Sequence, residues 1–109
     1  MGNGNYEHAL DVFNSIVMGA PSFAEGWNKR ATLFWLMGEL EKSVQDIERT
    51  LALEPRHFGA LSGLGMIRKK QERPADAIQA YRRALDIYPT MPNAEKQIRI
   101  LGDQLGKSI

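Results

Sequence analysis

Residues 27–65 read WNKRATLFWLMGELEKSVQDIERTLALEPRHFGALSGLG, and this stretch contains one full period of a pattern that runs through the chain. Its proline, Pro55, stands 34 residues after Pro21 and 34 residues before Pro89. A pattern of this length is typical of stacked helical repeats, each of which buries its apolar face against a neighbour. Counted back from the prolines, small and apolar residues recur in one order: Ala9, Ser43 and Ala77; Leu10, Val44 and Ile78; Phe13, Ile47 and Tyr81; Val17, Leu51 and Leu85.

The composition is that of an ordinary globular protein of one domain. The 109 residues are 43% hydrophobic and 25% charged, and the net charge of +1 gives no general case for nucleic acid or an anionic membrane. The lack of cysteine excludes disulfides and thiolate metal sites. No apolar run reaches the roughly 18 residues of a membrane span, and the N-terminus has no signal-peptide pattern. The cytoplasm and the periplasm both stay open as compartments.

Apolar periodicity and breaker residues predict six helices and no strand. The first helix covers about residues 5–18, and a capping-box pattern, Ser22 to Glu25, starts the second, which Gly38 stops. The third covers about 40–53 and the fourth about 57–70. Pro74 suits the first turn of the fifth helix, and Pro92 opens the last.

The residues of this pattern resemble the tetratricopeptide repeat (TPR) family, whose repeat combines aromatic, small and apolar positions with a closing proline. The resemblance implies an all-α, TPR-type α-solenoid of antiparallel helix pairs with a concave groove. Its expected organisation is a half repeat at 1–21, repeats at 22–55 and 56–89, and a C-terminal capping helix at 90–109. Two units carry the pattern: Trp27, Ala31, Phe34, Ser43, Ile47 and Pro55, then Leu61, Gly65, Ala77, Tyr81, Ala84 and Pro89.

Several residues depart from the family pattern. Arg68 replaces the second aromatic of its unit, which predicts looser packing there. Glu72 stands where the other units have a turn glycine. Glu95 and Arg99 replace Trp27 and Ala31, as expected for a helix whose outer side faces water. The half repeat suggests either a fragment of a longer protein or a first helix without its mate, and the fragment is favoured because such arrays need about three repeats.

Catalysis has little support in the sequence. The two histidines, His8 and His57, lie in different units and lack a paired ligand, so His57 is interpreted as a solvated or capping residue. Gly63 and Gly65 lie within a helix and do not follow a strand, so they do not indicate a nucleotide site. We expect a protein that is not an enzyme and has no cofactor and no metal.

The resemblance implies that first helices line the groove and that the function is binding of a protein or peptide. Trp35 is either an anchor for the ligand or core packing, and the small residues near Gly63 admit either a ligand or a neighbouring side chain. Lys69 and Lys70 are either a solvated helix end or a contact to an acidic segment. The predicted groove consists of Glu25, Asn28, Lys29, Thr32, Trp35 and Leu36 on one wall, and Gly59, Ser62, Gly63, Met66, Lys69 and Lys70 on the other.

Two further expectations concern partners. Asn28, Thr32 and Gly63 depart from the lysines and asparagines with which chaperone-binding relatives clamp a terminal carboxylate, so that mode is not supported. The alternative function is self-association as a homodimer, because an apolar face without a partner tends to find one. That face consists of Leu10, Val12, Phe13, Ile16 and Val17.

Overall fold

In a computed structural model that describes the backbone of residues 2–108 and the side chains of residues 5–106, the described residues form six α-helices and no strand. The all-α prediction is therefore confirmed for this part of the chain. The helices are α1 (Gly2–Gly19), α2 (Ala24–Leu36), α3 (Leu40–Leu53), α4 (Phe58–Lys70), α5 (Pro74–Ile87) and α6 (Ala94–Ser108).

The predicted capping box before α2 is wrong. The N–H of Phe23 donates to the carbonyl of Ala20 at 3.0 Å, which closes a turn over Pro21 and Ser22 and moves the helix start to Ala24. Phe23 then occupies the N-cap position in an extended conformation, without a side-chain cap hydrogen bond. In its place, the indole Nε1–H of Trp27 donates to the Pro21 carbonyl at 2.9 Å and fastens the turn to the helix.

The bounds of α3 agree with the prediction, whereas several other boundaries differ from it by a few residues. The α1 helix is longer at both ends than expected, and α6 begins at Ala94 because Asn93, with φ 72°, leaves the helical region. The α4 helix begins one residue later than predicted because His57 is its N-cap. The Nδ1 atom of His57 accepts a hydrogen bond from the Ala60 N–H at 3.0 Å, so the capping interpretation of His57 is confirmed.

The chain divides into two compact units, residues 1–55 and 56–109. In unit 1, α2 packs against both α1 and α3. Small residues let the pair α2–α3 approach closely, since the buried Ser43 Oγ donates to the Ala31 carbonyl at 2.7 Å. The buried apolar residues of this unit are Val17, Ala24, Ala31, Leu33, Phe34 and Ile47.

In unit 2, α5 packs against both α4 and α6. The ring of Tyr81 lies directly over Gly65, where an added Cβ would sit 2.8 Å from Cζ and 2.9 Å from Cε1. The prediction that Gly65 serves close packing between helices is therefore confirmed. The buried apolar residues of this unit are Ala60, Leu61, Ile67, Ala77, Ile78, Ala80, Tyr81, Ala84, Ala94 and Leu101.

Both helix pairs use the same turn between their helices. After α2, the Gly38 N–H donates to the Trp35 carbonyl at 3.0 Å and the Glu39 N–H to the Phe34 carbonyl at 2.8 Å. This is the Schellman pattern, which requires a left-handed residue at its centre, and Gly38 has φ 80°.

After α4 the same two bonds recur, but the left-handed position holds Glu72, with φ 59°. Its N–H donates to the Lys69 carbonyl at 3.0 Å, and the Arg73 N–H donates to the Arg68 carbonyl at 2.8 Å. Left-handed backbone costs a residue with a Cβ about 1–2 kcal/mol, so unit 2 carries strain that unit 1 avoids.

Candidate interaction surfaces

The six predicted residues of α2 lie on one side of the helix, which we call the α2 face. They follow helical spacing, and their exposure alternates along the helix: Leu36 is 56% exposed, whereas Trp35 is partly buried. Lys29 Nζ lies 3.7 Å from Glu25 Oε2, as an exposed i,i+4 pair. The face is therefore apolar at one end and balanced in charge at the other. Its residues are Glu25, Asn28, Lys29, Thr32, Trp35 and Leu36.

The six predicted residues of α4 stand 34 positions later and form the α4 face. Met66 is 43% exposed, and Lys69 and Lys70 are exposed at its C-terminal end. Gly59 has a local reason for being small, because an added Cβ would lie 3.2 Å from Cε1 of the capping His57. The residues of the α4 face are Gly59, Ser62, Gly63, Met66, Lys69 and Lys70.

A contact from α6 was missed in the sequence. Lys69 Nζ donates to Gln97 Oε1 at 2.7 Å, which ties the α4 face to α6 within unit 2. Gln97 stands 34 positions after Gly63, so the repeat register already assigns Gln97 to the position equivalent to a predicted residue of the α4 face. A cavity of about 510 Å³ lies beside this contact, lined by Lys69, Glu72, Pro74, Leu101 and Gln104.

A buried ion pair in unit 1 was also missed. Arg30 donates from Nε to Asp46 Oδ2 at 2.7 Å and from Nη2 to Asp46 Oδ1 at 2.9 Å, and its Nη1 donates to Asn14 Oδ1 at 2.9 Å. The Asp46 side chain is 5% exposed and the Arg30 side chain 20%. This network joins α1, α2 and α3. The hydrogen bond to Asp46 raises the pKa of the Arg30 guanidinium above its ordinary value, so the charge persists in the fold.

Aromatic rings complete the surroundings of this pair. The Arg30 guanidinium lies 5.1 Å from the ring centroid of Trp27 and 5.5 Å from that of Phe34. Arg49 also lies over Trp27, at 5.2 Å. Stacking on rings suits a planar, weakly hydrated cation, which explains how arginine is held at this depth.

Unit 2 has an apolar pair where unit 1 has this ion pair. Leu64 stands 34 positions after Arg30, and the buried Ala80 stands 34 positions after Asp46. The nearby hydroxyl of Tyr81 has a raised pKa, because burial disfavours the phenolate.

The apolar surface predicted on α1 is only partly available. Val17 is 3% exposed and lies against α2, where an added Cβ at Gly26 would be 3.8 Å from its Cγ1. Leu10, Phe13 and Ile16 are partly buried. Val12 is 43% exposed, so it is the residue of this set that a second chain could reach most fully.

The part of the chain that the structure describes shows neither a metal cluster nor a membrane span. No group of three or more His, Asp or Glu side chains there lies where it could hold a metal ion. Likewise, no helix within residues 2–108 is long and apolar enough to cross a membrane.

Residues 28–92 match a family model described as a tetratricopeptide repeat. A TPR repeat-containing protein of Rhizobium etli is 43% identical over 97 residues, which cover 89% of this chain and 48% of the relative. The small glutamine-rich tetratricopeptide repeat-containing protein 2 of Saccharomyces cerevisiae is 30% identical over 87 residues, which cover 80% of this chain and 25% of that protein. The chain thus spans less than half the length of either relative.

Solved structures share the fold at lower identity. The first TPR domain of Spaghetti (RPAP3), bound to the HSP90 peptide SRMEEVD, has a TM-score of 0.89 at 21% identity and covers 96% of this chain and 83% of its own. A crystal structure of MamA has a TM-score of 0.87 at 21% identity, covering 97% of this chain and 58% of its own. These likenesses confirm the type of helical fold that the sequence predicts.

Proposed function

This chain belongs to the tetratricopeptide repeat family, and from that membership we propose that it binds a protein or peptide segment and catalyses no reaction. The observation that carries the proposal is an exposed large apolar side chain on the lysine-bearing face of the first helix in each of two repeats. Leu36 and Met66 are large, apolar and substantially exposed, and each lies on the face of the first helix of its pair.

The charges on these faces favour a particular kind of segment. The α4 face carries Lys69 and Lys70 and no acidic residue, whereas Lys29 on the α2 face is offset by Glu25. A segment that combines an apolar side chain with acidic groups is therefore complementary to the α4 face. The peptide bound to RPAP3, SRMEEVD, has this composition, which supports the chemistry for the fold without transferring that partner to this chain.

A fluorescence anisotropy screen of labelled peptides tests the proposal. We expect short peptides with a methionine or leucine next to two or three acids to bind, and Trp35→Ala and Lys69→Glu each to weaken binding about tenfold or more, as interface anchors do. Matched controls lie outside both faces: Phe23→Ala removes an aromatic that is 52% exposed, and Arg82→Glu makes the same charge reversal on α5. Unchanged binding in both Trp35→Ala and Lys69→Glu, with their folds intact, would refute the assignment.

We also propose self-association through α1 as a second candidate. The observation that favours it is Val12, which is 43% exposed although its register equivalents Asp46 and Ala80 are 4% and 2% exposed. Light scattering over a range of protein concentrations should show a dimer that Val12→Glu disrupts. A strict monomer at high concentration rules this candidate out and leaves the peptide-binding proposal untouched.

A further inference from the structure

A second cleft in unit 2 lies apart from the α4 face and has a different character. Its volume is about 130 Å³, well below the roughly 300–1,000 Å³ of pockets that hold drug-sized ligands. Room of this size suits a single small anion. The lining consists of Leu64, Arg68, Arg73, Asp76, Gln79, Ala80 and Arg83.

The backbone turn after α4 brings two of these arginines together. The Arg73 N–H donates to the Arg68 carbonyl at 2.8 Å, which holds the two backbone segments together, and both side chains line the cleft. The left-handed conformation of Glu72 makes this hydrogen bond possible, so the strained turn helps to position the backbone of both arginines at the cleft. Arg83 comes from α5.

The arginines are only partly neutralised. Arg73 donates from Nε to Asp76 Oδ2 at 2.8 Å, and Arg68 donates from Nη1 to the neutral Gln71 Oε1 at 3.0 Å. Arg83 has no hydrogen bond or ion pair with any side chain among the described residues. Three guanidinium groups against one carboxylate leave the cleft with a net charge of +2.

Unit 1 has different residues at the positions equivalent to two of these arginines. The position equivalent to Arg68 holds Phe34, which is buried and lies under the Arg30 and Lys42 cations. The position equivalent to Arg73 holds an acid, Glu39. Unit 2 has therefore exchanged an aromatic ring and a carboxylate for two guanidinium groups.

We propose that this cleft binds a phosphate monoester group. Guanidinium groups present paired N–H donors that match phosphate oxygens. A monoester carries a charge of about −1.5 to −2 at neutral pH, which neutralises the net charge of the cleft. A carboxylate would leave half of that charge uncompensated. This site is independent of the peptide-binding proposal, because it uses none of the residues of the α2 or α4 faces.

Titration of the isotope-labelled full chain with inorganic phosphate, followed by NMR at constant ionic strength, tests the site. We expect saturable shifts confined to residues around the cleft, and equal concentrations of acetate should produce none. Arg83→Gln should weaken phosphate binding on the order of tenfold, the loss expected for one charge-assisted hydrogen bond. Arg82→Gln is the matched control, because it removes the same charge from the neighbouring exposed position.

Arg68→Phe restores the residue of unit 1 and should abolish binding while keeping the fold. A phosphoserine peptide that binds more tightly than inorganic phosphate identifies a phosphorylated protein segment as the source, and equal binding identifies a free phosphate compound. The absence of saturation with up to about 20 mM inorganic phosphate overturns the proposal. Equal losses in Arg82→Gln and Arg83→Gln, or equal shifts with acetate, overturn it as well.

Discussion

Replacing Asp46 with alanine should destabilise the protein by about 3 kcal/mol, because it leaves the Arg30 guanidinium in the interior of unit 1 without its counter-ion. Breaking a buried pair by removing one partner typically costs about 3–5 kcal/mol. The Arg30 side chain keeps 20% of its surface exposed and retains its bond to Asn14, so the lower end of that range applies.

Removing both charges should cost far less. The double variant Arg30→Leu with Asp46→Ala installs the residues that unit 2 has at the equivalent positions, Leu64 and Ala80. Replacing a buried ion pair by packed apolar residues is often neutral or stabilising. The variant loses the stacking of Arg30 on two rings, worth about 0.5–1 kcal/mol each. We therefore expect its stability to lie within about 1 kcal/mol of the wild type.

Urea unfolding of the wild type, both single variants and the double variant measures these differences, with circular dichroism reporting helix content. The sign of the pH effect is clear. The Arg30 pKa is raised in the fold, so its contribution is fully present below the ordinary arginine pKa and is lost only as the pH rises through the higher folded value. Measurements at pH 7 therefore report the stability with the Arg30 guanidinium charged. A loss of unfolding free energy under about 1 kcal/mol for Asp46→Ala would refute the reasoning. A double variant no more stable than the less stable of the two single variants would refute it as well.

Three other stability predictions concern unit 2. Gly65→Ala should destabilise the protein by about 1–2 kcal/mol in urea unfolding, because the added Cβ would press on the Tyr81 ring. Gly102→Ala, where an added Cβ meets nothing within 4 Å, should instead stabilise it by about 1 kcal/mol. Equal effects of the two substitutions would show that the Tyr81 ring moves aside without cost. Glu72→Gly should stabilise by up to about 1 kcal/mol, since Gly38 holds the equivalent left-handed position, and a loss of stability would contradict the strain. Because the pKa of Tyr81 is raised in the fold, its contribution to stability is full below about pH 10. Above that pH the contribution falls by up to about 1.4 kcal/mol per pH unit until the folded pKa is passed. Tyr81→Phe should lack this loss at alkaline pH, and an alkaline stability profile identical to that of the wild type would contradict the prediction.

The elements that the sequence predicts well depend on local rules. The predicted bounds of α3, 40–53, agree with the observed Leu40–Leu53, because Gly38 and Pro55 act on the residues next to them. The start of α2 was mispredicted because a turn over Pro21 competes with the cap that Ser22 offers, and a pattern of residue types does not rank the two. The family and the all-α class followed from the 34-residue period together with the small, aromatic and apolar residues that recur within it.

The features that escaped prediction depend on pairs distant in the chain. Arg30 and Asp46 are 16 residues apart, and Lys69 and Gln97 are 28 apart. The repeat register gives the position of each of these residues on its helix, but only the folded helices show that the polar atoms of each pair are in contact. Within the predicted faces, the register gives the side of the helix but not the degree of exposure, so it does not show that Leu36 is more exposed than its neighbour Trp35.

The buried ion pair of unit 1 has a consequence for how such a chain can be recombined. Arg30 lies on α2 and Asp46 on α3, whereas unit 2 has an apolar residue at each equivalent position. A crossover within a repeat would place an arginine opposite alanine or an aspartate opposite leucine, and either product buries a lone charge. Crossovers at the prolines exchange whole helix pairs and keep each charge with its counter-ion. Shuffled libraries of this sequence should therefore yield folded proteins mainly from breakpoints near Pro21, Pro55 and Pro89.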